Sequence, residues 1–111
     1  MAWEFNVSGG IAHAANGSRE NNPDDPVVIL IHGAGLDRTI WQMQTRNIAF
    51  QGRRVFAVDL PAHGYSEGPV IPTIEEMADW LTQFMKVAEV DCATVMGHSM
   101  GSLIALDLAA R

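Results

Sequence analysis

Ser99 stands in the pentapeptide "GHSMG", residues 97 to 101, after the aliphatic run "CATVM" and before "SLIALDLAAR". A hydroxyl with glycine two residues to either side has one distinctive chemical use. Where a strand turns sharply into a helix, the serine at the tip takes a strained backbone conformation and its Oγ projects above the sheet. Residues two positions away are crowded there, and Gly97 and Gly101 fit. The following helix aims its positive end at the site, and the Met100 amide is left free to donate to an oxyanion. Such a serine is a nucleophile for acyl transfer. The alternative is a small residue in a tight turn.

Two further stretches belong with it. "HGAG" (residues 32–35) follows the run "VVILI", and its glycines allow a substrate close to the backbone. The Ala34 amide, just after His32 and Gly33, is the candidate second donor beside Met100 for an oxyanion hole. "DLPAHGYS" (residues 59–66) follows "RVFAV" and holds Asp59 and His63. A phosphate loop is set aside, because "HGAGL" is not GxGxxG and no GxxxxGK[ST] occurs.

A serine hydroxyl needs a base to take its proton and an acid to orient that base. After Ser99 the sequence offers Asp107 and no histidine. Asp107 falls two helical turns into the last helix and reads as a surface carboxylate. The chain as given therefore cannot hold a complete triad in the order serine, acid, histidine.

The elements that would position these groups are legible from pattern. "WEFNV" alternates as a strand does, and "SGG" offers a hairpin turn into "IAHAA". "NGSRENNPDDP" reads as an exposed loop. "VVILIH", "RVFAVD" and "CATVMG" are aliphatic without alternation, which suits strands buried on both faces of a parallel sheet. Thr39 with Gln42 predicts a capping box opening a helix through about Phe50, with Gly52 as its stop. Thr73 with Glu76 predicts a second, ahead of an amphipathic helix. There Ile74, Met77, Ala78, Leu81, Phe84, Met85 and Ala88 form the apolar stripe, and Glu75, Glu76, Asp79 and Lys86 the other face. The order is a hairpin followed by alternating strands and helices. It predicts one α/β domain over 1–111, a mostly parallel sheet with helices on both faces and the motifs at the strands' carboxyl ends.

Composition bounds the rest. The chain has 111 residues, 48% of them hydrophobic and 18% charged, which suits a globular domain. A net charge of −6 argues against nucleic acid or an anionic membrane as partner. One cysteine, Cys92, excludes an internal disulfide and reads as a buried thiol near a strand start. The N-terminus lacks the pattern of a signal peptide and no run reaches membrane-spanning length, so the expectation is a soluble, cytoplasmic protein. There is no metal-ligand cluster, and no metal or organic cofactor is implied.

The set "VVILIHGAG", "VFAVDLPAHGYS" and "VMGHSMGSLIALDLA" resembles the α/β-hydrolase fold superfamily, from Trp3 onward. Its nearest branch comprises small esterases, lactonases, carbon–carbon-bond hydrolases and cofactor-free haloperoxidases. The branch's D-x-P-G-H-G-x-S loop has Ala62 at its first glycine position here. The resemblance implies Ser99 as nucleophile, Ala34 and Met100 as oxyanion donors, and Asp59 with His63 shaping the loop above the site. It implies structural roles for His32 and His98, while His13 reads as a sheet or surface residue. Serine at position 99 speaks against the haloalkane dehalogenase and epoxide hydrolase branches, which use aspartate. The resemblance covers the N-terminal half of that fold and stops after the helix that follows Ser99. It implies a serine hydrolase acting on a small-molecule acyl substrate (ester, thioester, lactone or activated ketone). The alternatives are a non-catalytic, self-associating half-fold, or a relative doing lyase, acyltransferase or perhydrolysis chemistry. The strand "CATVM" would be an open apolar edge, expected to be covered by a second copy, a complementing C-terminal half or a rearranged element. Of possible pocket residues, Leu36 would line a wall and Trp41 belongs to the core.

Overall fold

In the computed structural model, which describes residues 2–15, 24–50 and 52–111, a five-stranded sheet is flanked by helices. Strands β1 (Ala2–Val7) and β2 (Gly10–Ala15) form an antiparallel hairpin with Val7 opposite Gly10. Ser8 and Gly9 close it with φ of 50° and 84°, the positive values that match a two-residue turn to the strands' twist. Then come β3 (Val27–Ile31), a 3-10 turn (Arg38–Trp41), α1 (Gln42–Phe50) and β4 (Arg54–Val58). Helix α2 (Ile74–Val87), β5 (Thr94–Gly97) and α3 (Met100–Ala109) complete the chain. Most of the expected loop before β3, residues 16–23, lies outside the described residues.

The strands lie in the order β1-β2-β4-β3-β5, with β3 parallel to both β4 and β5 and the hairpin antiparallel. All five residues of β3 are buried, so its unalternating sequence is what a central strand requires. Alternate side chains feed two cores. Ile29, Ile31, Phe56 and Val58 pack under α2 and α3 with Leu81, Phe84 and Ile104. Val28, Leu30, Val55 and Ala57 pack on the other face, against Trp41 and Ile48. Phe84 meets Phe5 and Phe56 edge-on at 5.1 and 5.8 Å, and full burial of such a side chain stabilises by about 1.5–3 kcal/mol.

Helix α2 starts as its sequence predicts: the Glu76 amide donates to Thr73 Oγ1 at 3.1 Å. Its buried stripe also takes in Trp80, which stacks on Phe84 and which the apolar spacing did not include. The first capping box needs correction. Asp37, not Thr39, caps the turn, accepting the Thr39 amide at 2.8 Å and the Thr39 hydroxyl at 2.5 Å. An aspartate two residues earlier competes successfully for the same orphan amides, and a 3-10 turn precedes α1. Those bonds hold the Asp37 carboxyl below the usual carboxylate range.

A second correction concerns β5. It is an outer strand, with Thr94 and Met96 exposed rather than buried. Cys92, just ahead of it, is exposed for the same reason. On α3, Leu103 and Leu106 are 53% and 68% exposed, so that helix buries only one side of its apolar surface.

Candidate functional site

Strand register brings the motifs together. Ile31 pairs with Val58 on one side and with Gly97 on the other, so β4, β3 and β5 end in one row. The next residues of the three strands, Asp59, His32 and His98, therefore emerge along a single sheet edge. The His98 amide extends the ladder, donating to Ile31 O at 3.0 Å.

At the tip of β5 the chain reverses into α3 through Ser99, at φ 56° and ψ −120°. A side chain bearing Cβ occupies the left-handed side of φ only at a cost of about 1–3 kcal/mol. The flanking glycines make the turn possible. A Cβ on Gly97 would strike the Gly101 carbonyl, and one on Gly101 would strike the Ile31 and His32 carbonyls. Gly33 closes over the serine: a Cβ there would lie 3.1 Å from Ser99 Cβ. The first turn of α3 is pinned by Gly101 N–H to His98 O and Ser102 N–H to Ser99 O, both 2.9 Å. Ser99 Oγ makes no capping bond, and among the described residues the Met100 and Ala34 amides meet no acceptor. An exposed hydroxyl, a helix N-terminus and an exposed loop amide thus share one edge.

Behind that edge lies a buried polar network. The fully buried Asp59 carboxylate accepts from Arg38 Nη1 at 2.6 Å, the Arg38 amide at 2.8 Å and the Tyr65 amide at 3.0 Å. Gly64, at φ 53°, lies against this carboxylate with no space for a Cβ. Ser66 Oγ donates to Asp59 O at 2.7 Å and accepts the His13 amide at 2.9 Å, tying the loop 59–66 to β2. Arg38, Tyr65 and Ser66 are partners in this network that the sequence motifs do not single out; a contact between residues 21 positions apart in Arg38 and Asp59 leaves no local pattern.

The histidines are sorted by their partners. His32 Nε2 accepts the Leu60 amide at 3.0 Å, which leaves Nδ1–H to donate to Gly33 O at 2.7 Å. Burial pushes its pKa below the ordinary value, assisted by the nearby His63. His63 Nε2 accepts the Gly35 amide at 3.2 Å, and its Nδ1 faces Pro61 O at 2.9 Å. His13 sits in β2 with its ring edge-on to Tyr65. His98 is exposed beside Ser99. Asp107 pairs with Arg111 at 2.8 Å on the α3 surface, far along the helix from Ser99. Trp41 packs in the core and Leu36 is exposed near the edge. Among the described residues no His, Cys, Asp or Glu group has a metal-binding arrangement, and no helix is long and apolar enough to cross a membrane. A groove of about 310 Å³ between the hairpin turn and α2 is lined by Pro61, Trp80 and neighbours and excludes Ser99.

The family model for the alpha/beta hydrolase fold matches residues 26–111, and the chain belongs to that family. It is 38% identical over 91 residues to a pimeloyl-[acyl-carrier protein] methyl ester esterase of Aromatoleum aromaticum, covering 82% of this chain and 33% of the relative. Among solved structures it is similar to the enol-lactonase of Burkholderia xenovorans LB400, with 31% identity and a TM-score of 0.85 over 97% of this chain and 41% of that one. It is also similar to a bacterial membrane phospholipase A, with 27% identity and a TM-score of 0.91 over 100% of this chain and 35% of that one. The chain spans between 22% and 36% of the length of the curated relatives it matches.

Proposed function

We propose that this chain carries the nucleophile and oxyanion donors of a serine hydrolase. Ser99 Oγ attacks the carbonyl carbon of an ester, thioester, lactone or activated ketone. The Ala34 and Met100 amides receive the oxyanion. Its collapse breaks the bond to the alcohol, thiol or enolate leaving group, which takes up the proton that the base removed from Ser99. Water then cleaves the acyl ester to give the acid and the free serine hydroxyl. The observation that carries this reading is the positive φ of Ser99 between two glycines that have no room for a Cβ. A turn bearing only a spacer residue has no use for that strain, which glycine would relieve.

The base and its acid come from outside the 111 residues. His32 and His63 spend their Nε2 lone pairs on backbone amides, which leaves neither able to take a proton from Ser99 in this conformation. The similarity to an esterase and a lactonase supports carbonyl substrates. We also propose that an element beyond these residues covers β5 and the exposed Leu103 and Leu106. A monodisperse monomer in gel filtration would count against that coverage.

The test is fluorophosphonate labelling of the chain read by intact mass, with added imidazole as a surrogate base. A single adduct that imidazole accelerates and Ser99→Ala abolishes is expected. A folded chain that labels equally well after Ser99→Ala would refute the assignment.

A further inference from the structure

The two histidines behind the site form an arrangement that the nucleophile reading does not require. His32 belongs to the loop after β3, yet the amide it accepts, Leu60 N–H, belongs to the loop after β4. His63 belongs to the loop after β4, yet the amide it accepts, Gly35 N–H, belongs to the loop after β3. The rings lie 5.0 Å apart between centroids, tilted by 50°. Each imidazole is held in orientation by a backbone carbonyl of its own loop at Nδ1, Gly33 O for His32 and Pro61 O for His63. Both are therefore neutral Nδ1–H tautomers with Nε2 bare, since only a bare nitrogen accepts an amide hydrogen.

We propose that His32 and His63 are a reciprocal clamp, each holding the other's loop through a backbone N–H, and that His63 thereby positions the Ala34–Gly35 amides beside Ser99 only while its ring is neutral. The positioning role rests on the acyl-transfer reading above; the clamp itself does not. His63 touches no reacting atom in this scheme. It fixes Gly35, and through one peptide unit the direction of the Ala34 amide.

Proton uptake opens the clamp. A protonated Nε2 is a donor, and it would then face the Gly35 N–H, donor against donor. Two imidazolium rings at 5.0 Å would also repel. The charged groups around the pair oppose one another. Asp59 and Asp37 favour a proton on His32, while burial and the His63 ring disfavour it. Asp59 is already bonded to Arg38, which partly spends its field. The expected consequence is a loop after β3 that loosens as pH falls.

Both clamp bonds are N–H···N, so they are directly visible as through-hydrogen-bond couplings between nitrogens in a 15N-labelled chain. At pH 7.5 the Gly35 amide should couple to His63 Nε2 and the Leu60 amide to His32 Nε2. On acidification the Gly35 coupling should vanish with the same midpoint as the His63 ring titration. His63→Ala should remove it and speed Gly35 amide exchange roughly three- to tenfold, the effect of one net hydrogen bond. His63→Gln, which restores an acceptor oxygen, should recover most of that protection. A His63 ring found as the Nε2–H tautomer in the wild-type chain would overturn the clamp, even if His63→Ala fails to fold. So would a Gly35 amide indifferent to His63 titration. These readouts persist in Ser99→Ala, so a failed nucleophile assignment and a failed clamp are told apart.

Discussion

Replacing Ala62 by glycine should stabilise this protein. Ala62 takes φ 63° in the loop that carries His63, with its amide donating to Glu67 O at 3.1 Å. A residue with a Cβ pays about 1–2 kcal/mol for that left-handed backbone, and glycine does not. Glycine brings an opposing cost, because its unfolded chain is more flexible by about 0.4–1 kcal/mol. Ala62 is exposed, so removing its methyl group forfeits little burial. The balance favours Ala62→Gly by about 0.5–1 kcal/mol, a rise in melting temperature of about 2–5 °C for a domain of this size. Urea and thermal unfolding followed by circular dichroism measure it, and the urea slope should be unchanged. A variant equal to or less stable than the parent would refute the strain argument. The family's usual glycine at this position would then need another explanation.

Gly101→Ala should cost about 3 kcal/mol or more in urea unfolding, because its Cβ would strike the fixed carbonyls of Ile31 and His32. Arg38→Met should cost about 3 kcal/mol, since it leaves the wholly buried Asp59 carboxylate with only backbone donors. An unfolding free energy within about 0.5 kcal/mol of the parent's would contradict that. The pH dependence follows from His32, whose folded pKa lies below its ordinary value of 6.5. Between those two values the unfolded chain binds the proton and the folded chain does not. Stability should therefore fall as pH drops below about 6.5 and stop falling once the folded form also protonates. Urea midpoints at successive pH values should show this slope, and His32→Gln should flatten it.

Much of this site is readable from residues alone, for a local reason. Gly97, Ser99 and Gly101 are crowded by one another and by one neighbouring strand, so their spacing reports the turn directly. The unalternating β3 announces a central strand, and Thr73 with Glu76 announces α2. What escapes is non-local or competitive. Asp37 displaces Thr39 as cap because both are good acceptors and only geometry chooses. Trp80 joins the buried stripe because a neighbouring Phe84 gives it a surface to stack on. Cys92 and Met96 are apolar in type yet exposed, because burial depends on what lies beside β5. The Arg38–Asp59 pair and the histidine clamp join loops far apart in sequence, and no spacing rule encodes them.

The most direct test of the central claim is a crystal structure of the chain carrying a phosphonyl adduct. The phosphorus should be bonded to Ser99 Oγ, with its anionic oxygen within about 2.7–3.1 Å of both the Ala34 and Met100 amide nitrogens. An adduct on another residue, or a Ser99 adduct whose oxygen points to solvent away from both amides, would contradict the account.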